Sequence, residues 1–384
     1  MSDMIARSKE RTQIFNDVYD MKMPKRVPIN TWTDIAYAIQ YAGYNLKEAQ
    51  WDMSIIDKVI DIATKDFMSD VVPVIMIRFP ALYEILKAKN FIMGSDGFIQ
   101  HPEVKSLTPE DYPEFNKDPY KFVNEKVLPR LFKGLDTTPE KRAMTFAKAF
   151  NTWAGLMAQT GMSTVKAAEK HGVSPGGIGV TLVEAPFDLV ADQLRSFSGI
   201  TIDIRRHGAL VEEACEAVLP LMLKAGVMPN SSKLNRTFIP LHMGPFLNAQ
   251  HFEKYYWPSF KKLVDGLDAA GAGMNIFVEQ DWMRHMEFLQ DLPKGCMLWF
   301  EYGDPKLVKE KLGKDQIISG LYPVSILRNG TKQQCIDKAK EVIDILAPGG
   351  NYIFNYDKDP LVLDDAKIEN IIAVNEFVRE YAVY

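Results

Sequence analysis

Eight short runs rich in β-branched and aromatic residues recur along this chain, separated by longer amphipathic stretches, and that alternation restricts the fold more than any other feature. The runs are residues 27–31, 72–77, 179–183, 237–241, 275–278, 297–300, 317–319 and 352–354. Between them, residues 252–267, 305–312, 332–346 and 368–381 repeat apolar positions at spacings of three and four, as helices do when one face packs on a sheet. Such alternation makes parallel strands joined by crossover helices, and eight units predict an α/β fold of the closed (β/α)8 TIM-barrel type. The chain, residues 1–384, is read as a single barrel domain with one irregularity: about 100 residues separate the second and third runs. This helical insertion between strands 2 and 3, about 79–177, holds Pro-rich polar sequence from Pro102 to Pro119 and then helical sequence near 139–159, and is read as a lid or an interaction surface. The Gly-rich stretch 174–180 lacks the spacing of a dinucleotide fingerprint or a P-loop and reads as a turn entering a strand.

Composition narrows the function classes. Hydrophobic residues make up 47% of the chain and charged residues 25%, which supports a large core and excludes a disordered or low-complexity chain. With 45 Lys+Arg against 50 Asp+Glu and no basic stripe, a nucleic acid partner is not expected. No apolar stretch approaches the roughly 20 residues needed to span a bilayer, and residues 1–26 lack a signal-peptide pattern, so a cytoplasmic protein without membrane contact is expected. Three cysteines, Cys215, Cys296 and Cys335, without C-x-x-C spacing, fit reducing surroundings better than a disulfide framework or a thiolate zinc knuckle.

In a barrel of this kind the working residues cluster at the carboxyl ends of the strands. There the sequence places Asp34, Glu184, His242, Glu279 with Asp281, Glu301 with Asp304, Tyr322 and Asp357. Carboxylates converging on one mouth repel unless a cation, a proton or a basic substrate offsets them, which points to a metal or to raised pKa values. Asp34, Asp281 and Asp304 each precede helical sequence, so for these a helix cap is the competing reading. His242 reads equally as a half-buried packing imidazole or as an acid–base group, and His285 as packing or surface. No Ser or Cys stands beside a candidate base, so covalent catalysis has no support.

The C-terminal half carries a resemblance. A Trp257-Pro258 kink leading into FKKLVDGLDAAGAG, then KEKLGKDQIISGLYP, APGGNYIFN and IENIIAVNEFVREY, together with Arg26-Val27-Pro28 and QYAGYNLKEA near the start, resembles the uroporphyrinogen decarboxylase superfamily, which also holds corrinoid-linked methyltransferases, including the coenzyme M methyltransferases. The resemblance implies the eight-stranded barrel with a pocket in its mouth. The decarboxylases bind substrate carboxylates through an Arg-Gln-Ala-Gly-Arg stretch, and the matching positions here are Gln40-Tyr41-Ala42-Gly43-Tyr44, without either arginine. A substrate with many carboxylates needs guanidinium donors that neutral Gln and Tyr cannot replace. Their catalytic aspartate would fall near Met76 to Arg78, where no acid stands.

The methyltransferase branch binds zinc after the fifth, sixth and eighth strands, where this chain has Glu279, Asp281, Glu301 and Asp357. These four are the expected ligands of zinc or another divalent metal. His242, Tyr322 and Glu184 are the expected catalytic groups, and Asp34, Trp32, Trp282 and Tyr356 the expected substrate-binding residues. The leading expectation is a methyltransferase moving a methyl group between a small methylated or methoxylated substrate and a corrinoid held by a partner protein, the enzyme itself a homodimer. The alternatives are a decarboxylase of a tetrapyrrole or smaller carboxylate, with Arg195 or Arg206 replacing the missing arginines, and a non-catalytic binding protein whose mouth is filled by Trp32, Trp282 and Tyr356.

Overall fold

The computed structural model describes residues 2–176 and 179–384; Gly177 and Ile178, inside the Gly-rich turn 174–180 and at the end of the expected insertion, lie outside the described residues, as does Met1. The barrel strands are β1 (Thr33–Asp34), β2 (Val74–Ile75), β3 (Thr181–Leu182), β4 (Thr237–Leu241), β5 (Met274–Val278), β6 (Met297–Phe300), β7 (Ile317–Gly320) and β8 (Tyr352–Ile353). Strands β3 to β8 form one six-stranded parallel sheet in chain order, and β1 pairs with β2 in parallel. This is the TIM-barrel-type arrangement, although among the described residues no continuous ladder runs the whole way round. Single parallel bridges, Ile29 to Phe354 and Val71 to Ser174, join the pair to the two edges of the larger sheet.

The irregular side has a local cause. Pro28 and Pro73 have no N–H to donate, so each supports its neighbour through its carbonyl alone: Phe354 N–H donates to Pro28 at 2.9 Å and Thr33 N–H to Pro73 at 3.0 Å. The first ladder therefore starts at Thr33 rather than within the expected 27–31, where Ile29 forms an isolated bridge to Phe354. On the regular side, β4 and β6 are buried at every position, as a sheet covered on both faces requires. Helices Pro305–Leu312, Lys332–Leu346 and Ile368–Tyr381 occupy the expected positions. Asp304 caps the first by accepting from the N–H groups of Lys306 and Leu307, and Thr331 with Gln334 forms a capping box on the second.

Helix Ser2–Tyr19 lies against the amino-terminal side of the strands, where Ile14, Phe15 and Val18 join Trp32, Phe238, Met297, Trp299, Ile317 and Ile353 in one buried cluster. Phe277 stacks on Trp299 with ring centroids 4.0 Å apart. The insertion comprises a small antiparallel hairpin, Ile92–Met93 with Ile99–Gln100, several short helices and the 33-residue helix Pro139–His171. That long helix runs well past the expected 159 and stops at Gly172, whose φ of 63° suits a residue without Cβ. It packs on helices Met53–Asp66 and Pro80–Leu86 and is tied to the former by Lys170 and His171, 2.7 and 2.8 Å from Asp61.

One glycine is essential to the register of β7. Gly320 has φ 85°, and a Cβ there would stand 2.3 Å from the Phe300 carbonyl oxygen of β6. Gly320→Ala is expected to destabilise the fold by about 2–3 kcal/mol, combining left-handed strain with a backbone clash, and chemical denaturation measures it. A loss under about 0.5 kcal/mol would show that the β6–β7 pairing gives way at no cost.

Candidate active site

Just beyond β3 the chain turns through Pro186 into a helical turn and a wider π-helical stretch, Leu189–Arg195, which sets Asp188 and Asp192 one turn apart on one face. Asp188 is fully buried and accepts three hydrogen bonds: from the backbone N–H of His242 at 3.0 Å, that of Met243 at 2.9 Å and the Tyr256 hydroxyl at 2.7 Å. It thereby fixes the loop leaving β4 in which His242 sits. The His242 ring is clamped at both nitrogens, Nδ1 by Asp192 and Nε2 by Glu279 at 3.3 Å. Burial alone would lower its pKa, but the two carboxylate contacts prevail and push it up to about 12, so the ring is an imidazolium.

Glu184, at the end of β3, completes this group. Its Oε1 accepts from Gln193 Nε2 at 2.9 Å, while Oε2 is shielded from water and has no hydrogen-bond partner among the described residues. Burial pushes its pKa up to about 7; the His242 charge opposes that shift, and Asp192 and Asp188 add to it. The outcome is a carboxyl that carries its proton up to neutral pH beside a permanent cation, a separation of roles suited to proton donation. From the insertion, His101 stacks on Phe91 at 4.6 Å and lies within electrostatic reach of Asp192, Arg78 and His242. Burial lowers its pKa, which makes it a neutral neighbour of the imidazolium.

A second polar group lines the other side of the mouth. Arg78, after β2, pairs with Asp34 at 3.0 Å, and Asp34 also caps the helix Ile35–Tyr41 through the Ala36 N–H. Asp359 has a buried Oδ1 without a partner among the described residues, and burial together with the charge of Asp34 pushes its pKa up to about 7. Glu301 pairs with Lys358 at 2.8 Å and accepts the Gln280 N–H at 2.8 Å. Asp357 accepts the N–H groups of Val324 and Lys358, and burial pushes its pKa up to about 6. Glu301, Asp357, Lys358 and Asp359 share, with Tyr302 and Arg328, a cavity of about 610 Å³ at the ends of β6, β7 and β8.

Several sequence expectations are corrected here. Glu279, Asp281, Glu301 and Asp357 do not converge as metal ligands: Glu279 faces His242, Asp281 is an exposed cap on the Met283 N–H, Glu301 is neutralised by Lys358, and Asp357 is taken up by backbone donors. Among the described residues no group of three or more His, Cys, Asp or Glu is placed to hold a metal ion, so the donor set does not fit the zinc or other divalent metal expected. Tyr322 is buried with its hydroxyl donating to the Cys335 carbonyl at 3.0 Å, which removes it as a proton donor to substrate. Trp282 packs among Phe252, Tyr256 and His285, and Tyr356 lies beside Tyr322 and Phe354; both are core. Trp32 belongs to the buried cluster against the N-terminal helix, so these three aromatics neither bind substrate nor fill the mouth. Arg195 is locked in a buried pair with Asp203 and donates to the Leu107 carbonyl, while Arg206 is exposed on the helix Phe197–Arg206, so neither replaces the missing arginines.

The expectation placed Glu184, His242, Glu279 and Asp34 at strand ends around the mouth, but took Glu279 as a metal ligand rather than as the partner of His242. It missed Asp188, Asp192, Arg78, His101, Lys358 and Asp359. Asp188 and Asp192 carried a signal, two acids four residues apart directly after the third strand end. The Glu301–Lys358 pair carried none, because it joins residues 57 positions apart.

Residues 179–381 match the protein family described as Uroporphyrinogen decarboxylase (URO-D). The chain belongs to the uroporphyrinogen decarboxylase family. The matched segment takes in Glu184, the Asp188–Asp192 pair, His242 and Glu279, whereas Arg78 and His101 precede it. No curated protein matches the sequence. Of 28 solved chains that match, one is a methyltransferase from Methanosarcina mazei, with a TM-score of 0.60 and 14% identity over 97% of this chain and 98% of that one. That likeness extends the family fold across the N-terminal part and the insertion.

Proposed function

We propose that the protein is a methyltransferase that moves a methyl group between a small methylated or methoxylated substrate and the corrinoid of a separate protein. The observation that carries this reading is the pairing of a proton-holding carboxyl, Glu184, with the clamped imidazolium of His242 at the mouth. Family membership and the methyltransferase likeness are consistent with either a methyltransferase or a decarboxylase. Transfer of a methyl group breaks a bond from carbon to oxygen or nitrogen, and the leaving heteroatom needs a proton as it departs. Glu184 supplies that proton, and the adjoining imidazolium stabilises the carboxylate that remains. The corrinoid accepts the methyl group; no step on this chain passes through a metal.

A decarboxylase of a tetrapyrrole or a smaller carboxylate is the second reading, favoured by Arg78 and Lys358 at the mouth. Both cations are already paired, with Asp34 and Glu301. At the positions of the family's substrate-binding arginines, Gln40 accepts the Leu363 N–H at 2.9 Å and Tyr44 packs against the core. Incubation of the protein with reduced cobalamin and a panel of methoxylated and N-methylated donors tests the proposal. Methylcobalamin is expected to form with at least one donor, and carbon dioxide release from uroporphyrinogen is not. Carbon dioxide release without methyl transfer would replace the first reading by the second.

A further inference from the structure

Seven charged side chains line the cavity of about 610 Å³ at the ends of β6, β7 and β8, and five of them are already matched by groups of this chain. Glu301 pairs with Lys358 at 2.8 Å, and Lys338 with Glu341 at 3.0 Å. Asp357 accepts the backbone N–H groups of Val324 and Lys358, and Asp365 those of Leu361 and Val362. Two side chains remain. Arg328, on the helix Val324–Asn329 that follows β7, makes no hydrogen bond or ion pair among the described residues. Asp359, in the segment after β8, makes none either, and its Oδ1 is shut off from water. A guanidinium and a carboxyl thus line one cavity without pairing with each other.

We propose that this cavity is a binding site for a small zwitterion of the amino-acid class, whose ammonium is taken by Asp359 and whose carboxylate is taken by Arg328. Simpler ligands match the cavity less well. An anion alone leaves the Asp359 oxygen without a donor, and an amine alone leaves the guanidinium without an acceptor, whereas a ligand carrying both groups satisfies the two with charge-assisted hydrogen bonds. The surroundings of Asp359 agree. Burial together with the charge of Asp34 pushes its pKa up to about 7, as happens to a carboxyl that lacks a donor, and Arg78 does not relieve it because it is held on Asp34 at 3.0 Å. Leu321, Pro323 and Leu361 line the same cavity and suit an aliphatic side chain or spacer, and the volume lies in the range of small-molecule pockets. Neither Glu184 nor His242 takes part, so this site stands whether or not the protein transfers methyl groups.

Isothermal titration calorimetry on the full chain near pH 8, where Asp359 is ionised and an amino acid keeps its ammonium, tests this. The probes are leucine and 6-aminohexanoate, which differ in the distance between their two charges. Each is compared with analogues that lack one charge: 4-methylpentanoate and 3-methylbutylamine for leucine, hexanoate and pentylamine for 6-aminohexanoate. At least one of the two zwitterions is expected to bind about tenfold or more tightly than either of its analogues. Arg328→Gln is expected to remove the preference over the amine, and Asp359→Asn the preference over the carboxylate. Arg328 is exposed, so its variant stays folded even where Asp359→Asn does not. No binding of either zwitterion at millimolar concentration, an analogue that binds as tightly as its zwitterion, or variants that bind like the wild type would each overturn the proposal.

Discussion

Glu184→Gln is expected to lower the rate of methyl transfer by about 100- to 1,000-fold while leaving the protein folded, because the amide keeps the contact with Gln193 and loses only the transferable proton. The pH dependence follows from the same carboxyl. Glu184 donates only while protonated, and burial pushes its pKa up to about 7, so the wild-type rate falls tenfold per pH unit above about 7 and is level below it. His242, held as an imidazolium to about pH 12, adds no limb in the range that can be assayed. In Glu184→Gln the basic limb disappears. Stability separates this role from a structural one. A carboxyl whose pKa is raised by folding favours the folded state below its unfolded pKa near 4.5, and that contribution is lost as pH rises through about 7. At pH 8 the variant should therefore be no less stable than the wild type. A variant that loses activity and thermal stability together would mark Glu184 as packing.

The largest expected stability loss lies at the opposite face. Asp70 is fully buried and stands among three guanidiniums: Arg26 at 2.5 Å, Arg11 at 3.3 Å and Arg379 at 3.6 Å. It also accepts the Ile29 N–H at 2.9 Å, so one carboxylate ties the first helix, the approach to β1, the approach to β2 and the last helix together. Replacing it with Ala leaves the three cations facing one another with no counter-charge in a partly dry site. The cost of removing one partner from such a buried group is about 3–5 kcal/mol, and the thermal midpoint should fall by roughly 6–10 °C. A shift of less than about 2 °C would mean that water reaches the guanidiniums and screens them.

What could be read from the sequence divides along physical lines. Strands β4 to β8 were legible because each is a short, predominantly apolar run between helical patterns, and local periodicity reports that directly. The first ladder was expected within 27–31 but begins at Thr33, because that apolar run includes Pro28, which lacks a donor. For the site, the rule that chemistry sits at strand carboxyl ends located Glu184, His242 and Glu279. It did not show which side chains pair. The expected metal set failed for that reason: strand ends bring backbones together, but Lys358 reached Glu301 first and the Val324 N–H took Asp357. Tyr322, Tyr356 and Trp282 were misplaced because aromatic residues next to strand ends serve the outer helix layer as readily as the mouth, and only packing distinguishes the two.

The account stands on Glu184 holding a proton at neutral pH. Difference infrared spectroscopy between wild type and Glu184→Gln isolates the carbonyl stretch of that one protonated carboxyl. The account predicts a carboxylic-acid band present at pH 6, lost with a midpoint near 7 and absent from the variant. A Glu184 carboxyl already ionised at pH 6 would contradict it.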